Sequence, residues 1–323
     1  MNSRKIVIGT VVGLIGLPVV LVLIVAVSFY ALMSCYAPNR TNGSIVSSGQ
    51  KREYLLYVPR SYDPAKPTPL VISLHAAALW PATQQEASQW NKLADEHGFI
   101  VAYPSGTTLS GSGTGVLPFR VWLMEPDSVL SADVRFISEL IDTLGAAYNI
   151  DPTRIYANGL SNGGGMTFGL SCRLSNRIAA VGTVAAAQSL PWGWCADSTP
   201  MPMIMFHGTG DPFVPYNGAE PGWLNPRPFP NVAAWAANWA RRNRCAEEPV
   251  ESAVAAEVTR REYTICADSA AVVLYIVKGG GHTWPGGKPL PAWLVGPTTR
   301  SIDATSQMWA FFREHQLLRN LRD

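Results

Sequence analysis

The feature that most constrains this chain is an alternation of short apolar runs with helical periodicity. Strand-like runs occur at Arg52 to Val58, Leu70 to Leu74, Ile100 to Tyr103, Arg154 to Ala157, Ala179 to Val184, Met203 to Phe206 and Val272 to Val277. Several are short and continuously apolar, as strands buried on both faces of a parallel sheet are. Helical patterns lie between them at Gln84 to His97, which ends before Gly98, at Ala132 to Tyr148 behind the N-cap candidate Ser131, at Asn162 to Arg173, at Val232 to Arg244 and at Ala304 to Leu317. This order predicts an α/β fold with a mostly parallel central sheet and helices on both faces. The apolar fraction of 47% is enough for a large core. The formal net charge of +2, with only 15% of residues charged, argues against a nucleic-acid partner, which would need a clustered basic face.

Charge is unevenly distributed. After Arg4 and Lys5, no charged residue occurs from Ile6 to Met33, a stretch longer than the roughly 20 residues that cross a bilayer core as a helix. The expectation is an N-terminal signal or membrane segment over residues 1–35, a polar tether over 36–50 and a catalytic body over 51–323. The basic flank would stay in the cytoplasm and place the body outside it. An uncleaved anchor, a cleaved signal, and a lipidated Cys35 in the lipobox-like Leu32-Met33-Ser34-Cys35 remain alternatives. Setting Cys35 aside leaves Cys172, Cys195, Cys245 and Cys266, an even number suited to disulfides in an oxidising compartment.

Two long segments, 105–130 and 212–231, follow strand-like runs and are rich in Gly, Pro and aromatics. Both are expected at the carboxyl edge of the sheet, where open α/β folds bind ligands. The run Arg154 to Ala157 leads into Asn158-Gly159-Leu160-Ser161-Asn162-Gly163 and then a helical stretch. This is Gly-x-Ser-x-Gly in a strand-turn-helix context, the setting of a nucleophile on a sharp turn. Gly159 and Gly163 allow the close approach, and the helix N-terminus favours negative charge beside Ser161.

A serine hydroxyl needs a base, and the base needs an orienting carboxylate. In the chain order Ser, acid, His, His75 and His97 come too early, and His97 reads as a helix end. His315 reads as a surface residue of the last helix. His207 stands four residues before the best acid and is expected to support that acid's loop. His282 remains, in the flexible Gly279-Gly280-Gly281-His282-Thr283-Trp284-Pro285-Gly286-Gly287. Asp211, in His207-Gly208-Thr209-Gly210-Asp211-Pro212, follows a strand and falls between Ser161 and His282. The oxyanion donors are assigned to the N–H groups of Asn162 and of Ala77 in His75-Ala76-Ala77-Ala78.

Together these segments resemble the polyhydroxybutyrate-depolymerase-type esterases, which include feruloyl and acetylxylan esterase relatives. The likeness runs from about Lys51 to Leu317 and is carried by Leu160-Ser161-Asn162-Gly163-Gly164, by His207 to Gly218 and above all by Gly280-Gly281-His282-Thr283-Trp284-Pro285-Gly286. The resemblance implies an α/β-hydrolase fold, a Ser161, Asp211, His282 triad, and hydrolysis of carboxylic esters. It implies no metal or cofactor, and pairs Cys172 with Cys195 and Cys245 with Cys266. The family usually has His-Gly and further glycines where this chain has His75-Ala76-Ala77-Ala78. If that turn needs positive φ, alanine there costs about 1 to 2 kcal/mol.

Trp80, Trp122, Trp223 and Trp284 either line a substrate cleft or pack their loops onto the sheet. The leading expectation is an extracytoplasmic serine esterase acting on a polyester, an acylated polysaccharide or a small ester. An acyltransferase using the same acyl-enzyme and a catalytically weakened hydrolase-fold binding protein are the alternatives.

Overall fold

A computed structural model describes the backbone of residues 3–108, 119–123, 128–188, 195, 199–221, 228 and 230–317, with side chains from residue 20 onward and, in the helix after residue 127, from residue 132. The chain divides into two compact units, one ending at Asn39 and one beginning at Arg40. The first is a single helix, α1 (Ser3–Tyr36). Among the described residues no helix is long and apolar enough to cross a membrane. The anchor expected from the uncharged N-terminal run thus gains no support from the structure.

The second unit is built on a ten-stranded sheet. Its strands are β1 (Gly43–Ser47), β2 (Gln50–Tyr57), β3 (Thr68–Leu74), β4 (Ile100–Pro104), β7 (Ile150–Leu160), β8 (Ala180–Val184), β9 (Met203–Gly208), β10 (Val250–Ala255), β11 (Val258–Tyr263) and β12 (Val272–Val277), in the order β1-β2-β4-β3-β7-β8-β9-β12-β11-β10. A short ribbon of β5 (Thr107–Thr108) and β6 (Arg120–Val121) stands apart from the sheet. The strands from β4 to β12 pair in parallel, and antiparallel strands flank them on both edges. The chain runs from β3 outward to β4, then returns to β7 on the other side of β3. The order therefore reverses between β3 and β7, and at such a reversal two loops diverge and leave a crevice at the carboxyl edge.

Both faces are covered, which is why the central strands can be apolar throughout; every residue of β3, β4, β8 and β9 is buried. On one face α4 (Ser128–Ala147) inserts Phe136, Ile137, Leu140, Ile141 and Leu144 at helical spacing. Beside it lie α5 (Asn162–Arg173) and α6 (Val232–Arg242), the latter burying Trp235 and Trp239. On the other face α3 (Trp90–His97) and α8 (Ala304–Phe312) meet in an aromatic stack, with Phe99 4.1 Å from Trp309 and Tyr156 4.9 Å from Phe312 between ring centroids. Local caps delimit the helices. The Asn231 side chain accepts from the Ala234 N–H, the Asp303 side chain accepts from the Ser306 N–H, and Gly98 closes α3 in the left-handed region at φ 72°.

Four expectations are corrected. Part of the tether is structure, because Gly43–Ser47 pairs with β2. The helix expected over Gln84 to His97 is two, α2 (Pro81–Ser88) and α3, broken where Gln89 takes φ 56°. The helix α4 starts at Ser128, ahead of the cap expected at Ser131. The last helix ends at Phe312, so His315 lies beyond it; there it is partly buried, and burial lowers its pKa to about 4.

Candidate active site

Ser161 follows β7 directly and precedes the first residue of α5, with φ 56° and ψ −119°. Few non-glycine residues adopt such a backbone, and it persists only where the surroundings fix it. Here they do. The Ser161 N–H donates to the Val184 carbonyl at 2.9 Å, and the Ser161 carbonyl accepts from Gly165 N–H at 2.9 Å. A Cβ on Gly159 would run into the Gly163 backbone, and one on Gly163 into the carbonyls of Leu74 and His75. The two glycines thus let the start of α5 close over the ends of β3 and β7, where the strand order reverses. The Ser161 side chain is left partly exposed at the carboxyl edge.

The neighbouring strands deliver the candidate acid and base. Gly208 ends β9 opposite Val277 at the end of β12, so the loops carrying Asp211 and His282 leave the sheet side by side. Asp211 Oδ2 is 2.8 Å from His282 Nδ1, while its Oδ1 accepts from the N–H groups of Phe213 and Val214 at 2.8 Å each. A carboxylate with both oxygens engaged cannot swing away. Because Nδ1 donates to it, His282 Nε2 remains the basic nitrogen of the neutral ring. His207, buried behind this pair, lies with Nε2 2.8 Å from the Val214 carbonyl and 3.5 Å from Asp211 Oδ2. Donation from Nε2 to that carbonyl ties down the acid loop. Burial lowers the His207 pKa and keeps its ring neutral there.

The loop after β3 departs from the glycine-rich pattern, and its strain falls on one residue. Ala78 takes φ 61°, and its N–H donates to the Arg120 carbonyl in β6 at 2.8 Å. Ala77, beside it, is exposed. His75 is fully buried beneath the turn. Its Nδ1 donates to the Ala76 carbonyl at 2.8 Å and its Nε2 accepts from Gly106 N–H at 2.9 Å, which sets the neutral tautomer. Burial brings its pKa down to about 4. Asn162 then joins this loop to the Ser161 turn. Its Oδ1 accepts from Trp122 N–H at 2.7 Å, its Nδ2 donates to the Trp122 carbonyl at 2.8 Å, and Trp122 Nε1 donates to the His75 carbonyl at 3.0 Å. Residues 120–122 therefore bind the Ala78 turn and the residue after Ser161 in one network.

Comparison with known proteins fits this geometry. A sequence profile for the family described as esterase PHB depolymerase matches residues 52–212. NocK of Nocardia uniformis subsp. tsuyamanensis, a protein named as a candidate esterase, is 30% identical over 283 residues, covering 81% of this chain and 79% of that protein. The chain belongs to the esterase PHB depolymerase family. Within reach of that family, Feruloyl esterase B of Piromyces equi is 30% identical over 242 residues, covering 73% of this chain and 44% of that protein. The chain thus spans less than half the length of that relative. Among solved structures, an acetyl xylan esterase from Aspergillus awamori superposes with a TM-score of 0.56 at 16% identity, over 75% of this chain and 93% of that one. This establishes the α/β-hydrolase fold.

The pairing that the family resemblance implied is present, with bonds between Cys172 and Cys195 and between Cys245 and Cys266; Cys35 is free and exposed. Of the two readings of the tryptophans, those that are described match packing. Trp80, Trp122 and Trp284 are 0%, 1% and 2% exposed and act as supports for their loops. Trp284 Nε1, for example, donates to Thr305 Oγ1 at 2.9 Å. Trp223 lies outside the described residues. Among the described residues, an aromatic that stands exposed at the site is Phe213. It is half exposed, with its ring edge-to-face against His282 at 5.2 Å. Its sole signal in the sequence is its place two residues after Asp211.

Proposed function

We propose that this protein is an extracytoplasmic serine esterase that hydrolyses carboxylic esters through an acyl-enzyme. The observation carrying this reading is the 2.8 Å contact from His282 to Asp211 at the same sheet edge as Ser161, whose φ is 56°. Ser161 Oγ attacks the ester carbonyl while His282 Nε2 takes its proton. The Ala77 and Asn162 N–H groups donate to the oxyanion, and Asp211 stabilises the imidazolium. His282 then protonates the departing alkoxide. A water, deprotonated by the same nitrogen, attacks the Ser161 ester and releases the acid.

The relatives named feruloyl esterase and Poly(3-hydroxyalkanoate) depolymerase support bulky acyl or polyester substrates as the class to screen first. The two disulfides support a compartment outside the cytoplasm. Mass spectrometry of the mature N-terminus distinguishes a retained helix, a lipidated Cys35 and a cleaved leader.

The deciding experiment is labelling with a fluorophosphonate. Wild type is expected to take one label, and Ser161→Ala none. Labelling that survives in Ser161→Ala, or full esterase activity in Asp211→Asn, would overturn the assignment.

A further inference from the structure

We infer that the cavity between the start of β2 and the β5–β6 ribbon binds a carboxylate-bearing group of the substrate, about the size of one sugar ring, through Arg120. The link to the substrate rests on the ester-hydrolysis reading, whereas the binding site does not.

The cavity measures about 190 Å³ and is lined by Lys51, Arg52, Glu53, Ser105, Thr107 and Arg120, among others. Its volume is comparable with the roughly 150 Å³ of an engineered cavity that admits benzene, so a single ring fits. Among the described cations that line the cavity, Arg120 is the one with no hydrogen-bonded acceptor. Arg52 is committed to Asp133 at 2.7 Å within the protein and also donates to the Ser105 carbonyl. Lys51 is paired with Glu53 at 2.9 Å. Among the described residues no acceptor lies within hydrogen-bonding distance of the Arg120 guanidinium. Burial, with Arg52 nearby, lowers its pKa against the opposing pull of Glu53.

A guanidinium half removed from water, with Glu53 nearby but no hydrogen-bond acceptor among the described residues, is matched best by a bidentate carboxylate. Ser105 and Thr107 add hydroxyls, which favour a hydroxylated ligand over an apolar one. The place is also apt. The Arg120 carbonyl holds the Ala78 N–H at 2.8 Å, one residue from the oxyanion donor proposed at Ala77. The start of β2 pairs beside the carboxyl end of β4, so the cavity opens at the same sheet edge as Ser161.

The test uses the full chain with Ser161→Ala to prevent turnover, glucuronate as probe and glucose as its neutral counterpart, both titrated calorimetrically. Glucuronate is expected to bind about tenfold or more tightly than glucose, and the preference to disappear in Arg120→Gln and to survive in part in Arg120→Lys. Raising the salt from about 50 to about 500 mM should weaken glucuronate and leave glucose unchanged. Equal affinity for the two sugars, or an undiminished preference in a folded Arg120→Gln, would sink the site. In wild type, glucuronate should inhibit hydrolysis of p-nitrophenyl acetate competitively. Binding without inhibition would overturn its place on the substrate path. Binding without any hydrolysis of the ester would reject the esterase reading and leave the anion site standing.

Discussion

His75 should make the protein acid-labile, by an amount that follows from its surroundings. Its ring is fully buried, donating from Nδ1 to Ala76 and accepting at Nε2 from Gly106. A proton added at Nε2 would abolish that acceptor and leave a charge in the interior. Burial accordingly lowers the pKa from 6.5 to about 4. In the unfolded chain the same imidazole titrates near its ordinary value, so between these limits the unfolded state binds more protons and stability rises with pH. The contribution is complete above about pH 6.5 and is lost as pH falls toward 4. At about 1.36 kcal/mol per unit, the full loss is on the order of 3 kcal/mol, of which about 2 kcal/mol falls between pH 7.5 and pH 5. Urea unfolding followed by tryptophan fluorescence at those two pH values, for wild type and His75→Gln, isolates the effect. The other histidines cancel in the comparison, and a constant penalty for the substitution cancels between the two pH values. Wild type should lose about 2 kcal/mol more than the variant on acidification. If the two proteins lose equal stability, His75 does not carry the linkage.

Three further outcomes follow from the same region. Ala78→Gly removes a left-handed alanine, with φ 61°, and should raise stability by up to about 1 kcal/mol once the added freedom of the unfolded chain is subtracted; a lower thermal midpoint would refute the strain. Asn162→Ala breaks both bonds to Trp122 and should lower kcat for p-nitrophenyl acetate about 10- to 100-fold with little change in global stability; unchanged kcat would remove the brace from the mechanism. Phe213→Ala takes away the ring edge-on to His282 and should cost about 2- to 10-fold in kcat/KM. A loss confined to stability would show that the ring serves packing alone.

The legible parts of the fold were those whose pattern is local. The central strands β4, β3, β7, β8, β9 and β12 announce themselves as short apolar runs because both sheet faces are covered. The elbow announces itself because only glycine fits at 159 and 163. The edge strands are less visible. Along β10, all residues but the last are exposed, so its Val-Glu-Ser-Ala-Val-Ala carries no burial pattern to read, and it forms by pairing with β11. Gly43–Ser47 reads as linker for the same reason. The break at Gln89 escaped because a left-handed residue between two helices leaves no gap in composition. In the site, chain order is enough to nominate Ser161, Asp211 and His282 as candidates, but it does not reveal the supports around them. Trp122 lies 40 residues of chain from Asn162, and nothing in that spacing announces that the Asn162 side chain clasps the Trp122 backbone.

That clasp also answers the question raised by the missing glycines. A glycine-rich turn after β3 would reach a left-handed conformation at little cost, and here Ala78 must be held in it. The hold comes from the Arg120 carbonyl above, at 2.8 Å from the Ala78 nitrogen, and the His75 ring below, locked between Ala76 and Gly106. The strain of one alanine, about 1 to 2 kcal/mol, is of the size that one or two buried hydrogen bonds offset. The exchange has a structural consequence. A glycine turn could be preorganised by its own backbone, whereas this one depends on β6, so its geometry is coupled through residues 120–122 to Asn162 and the Ser161 turn. In Asn162→Ala the coupling predicts a change at a distance: Gly106 and Ala78 amides should lose hydrogen-exchange protection although their hydrogen bonds go to His75 and Arg120. Protection at both that matches wild type would mean that the turn is held by His75 and Arg120 alone.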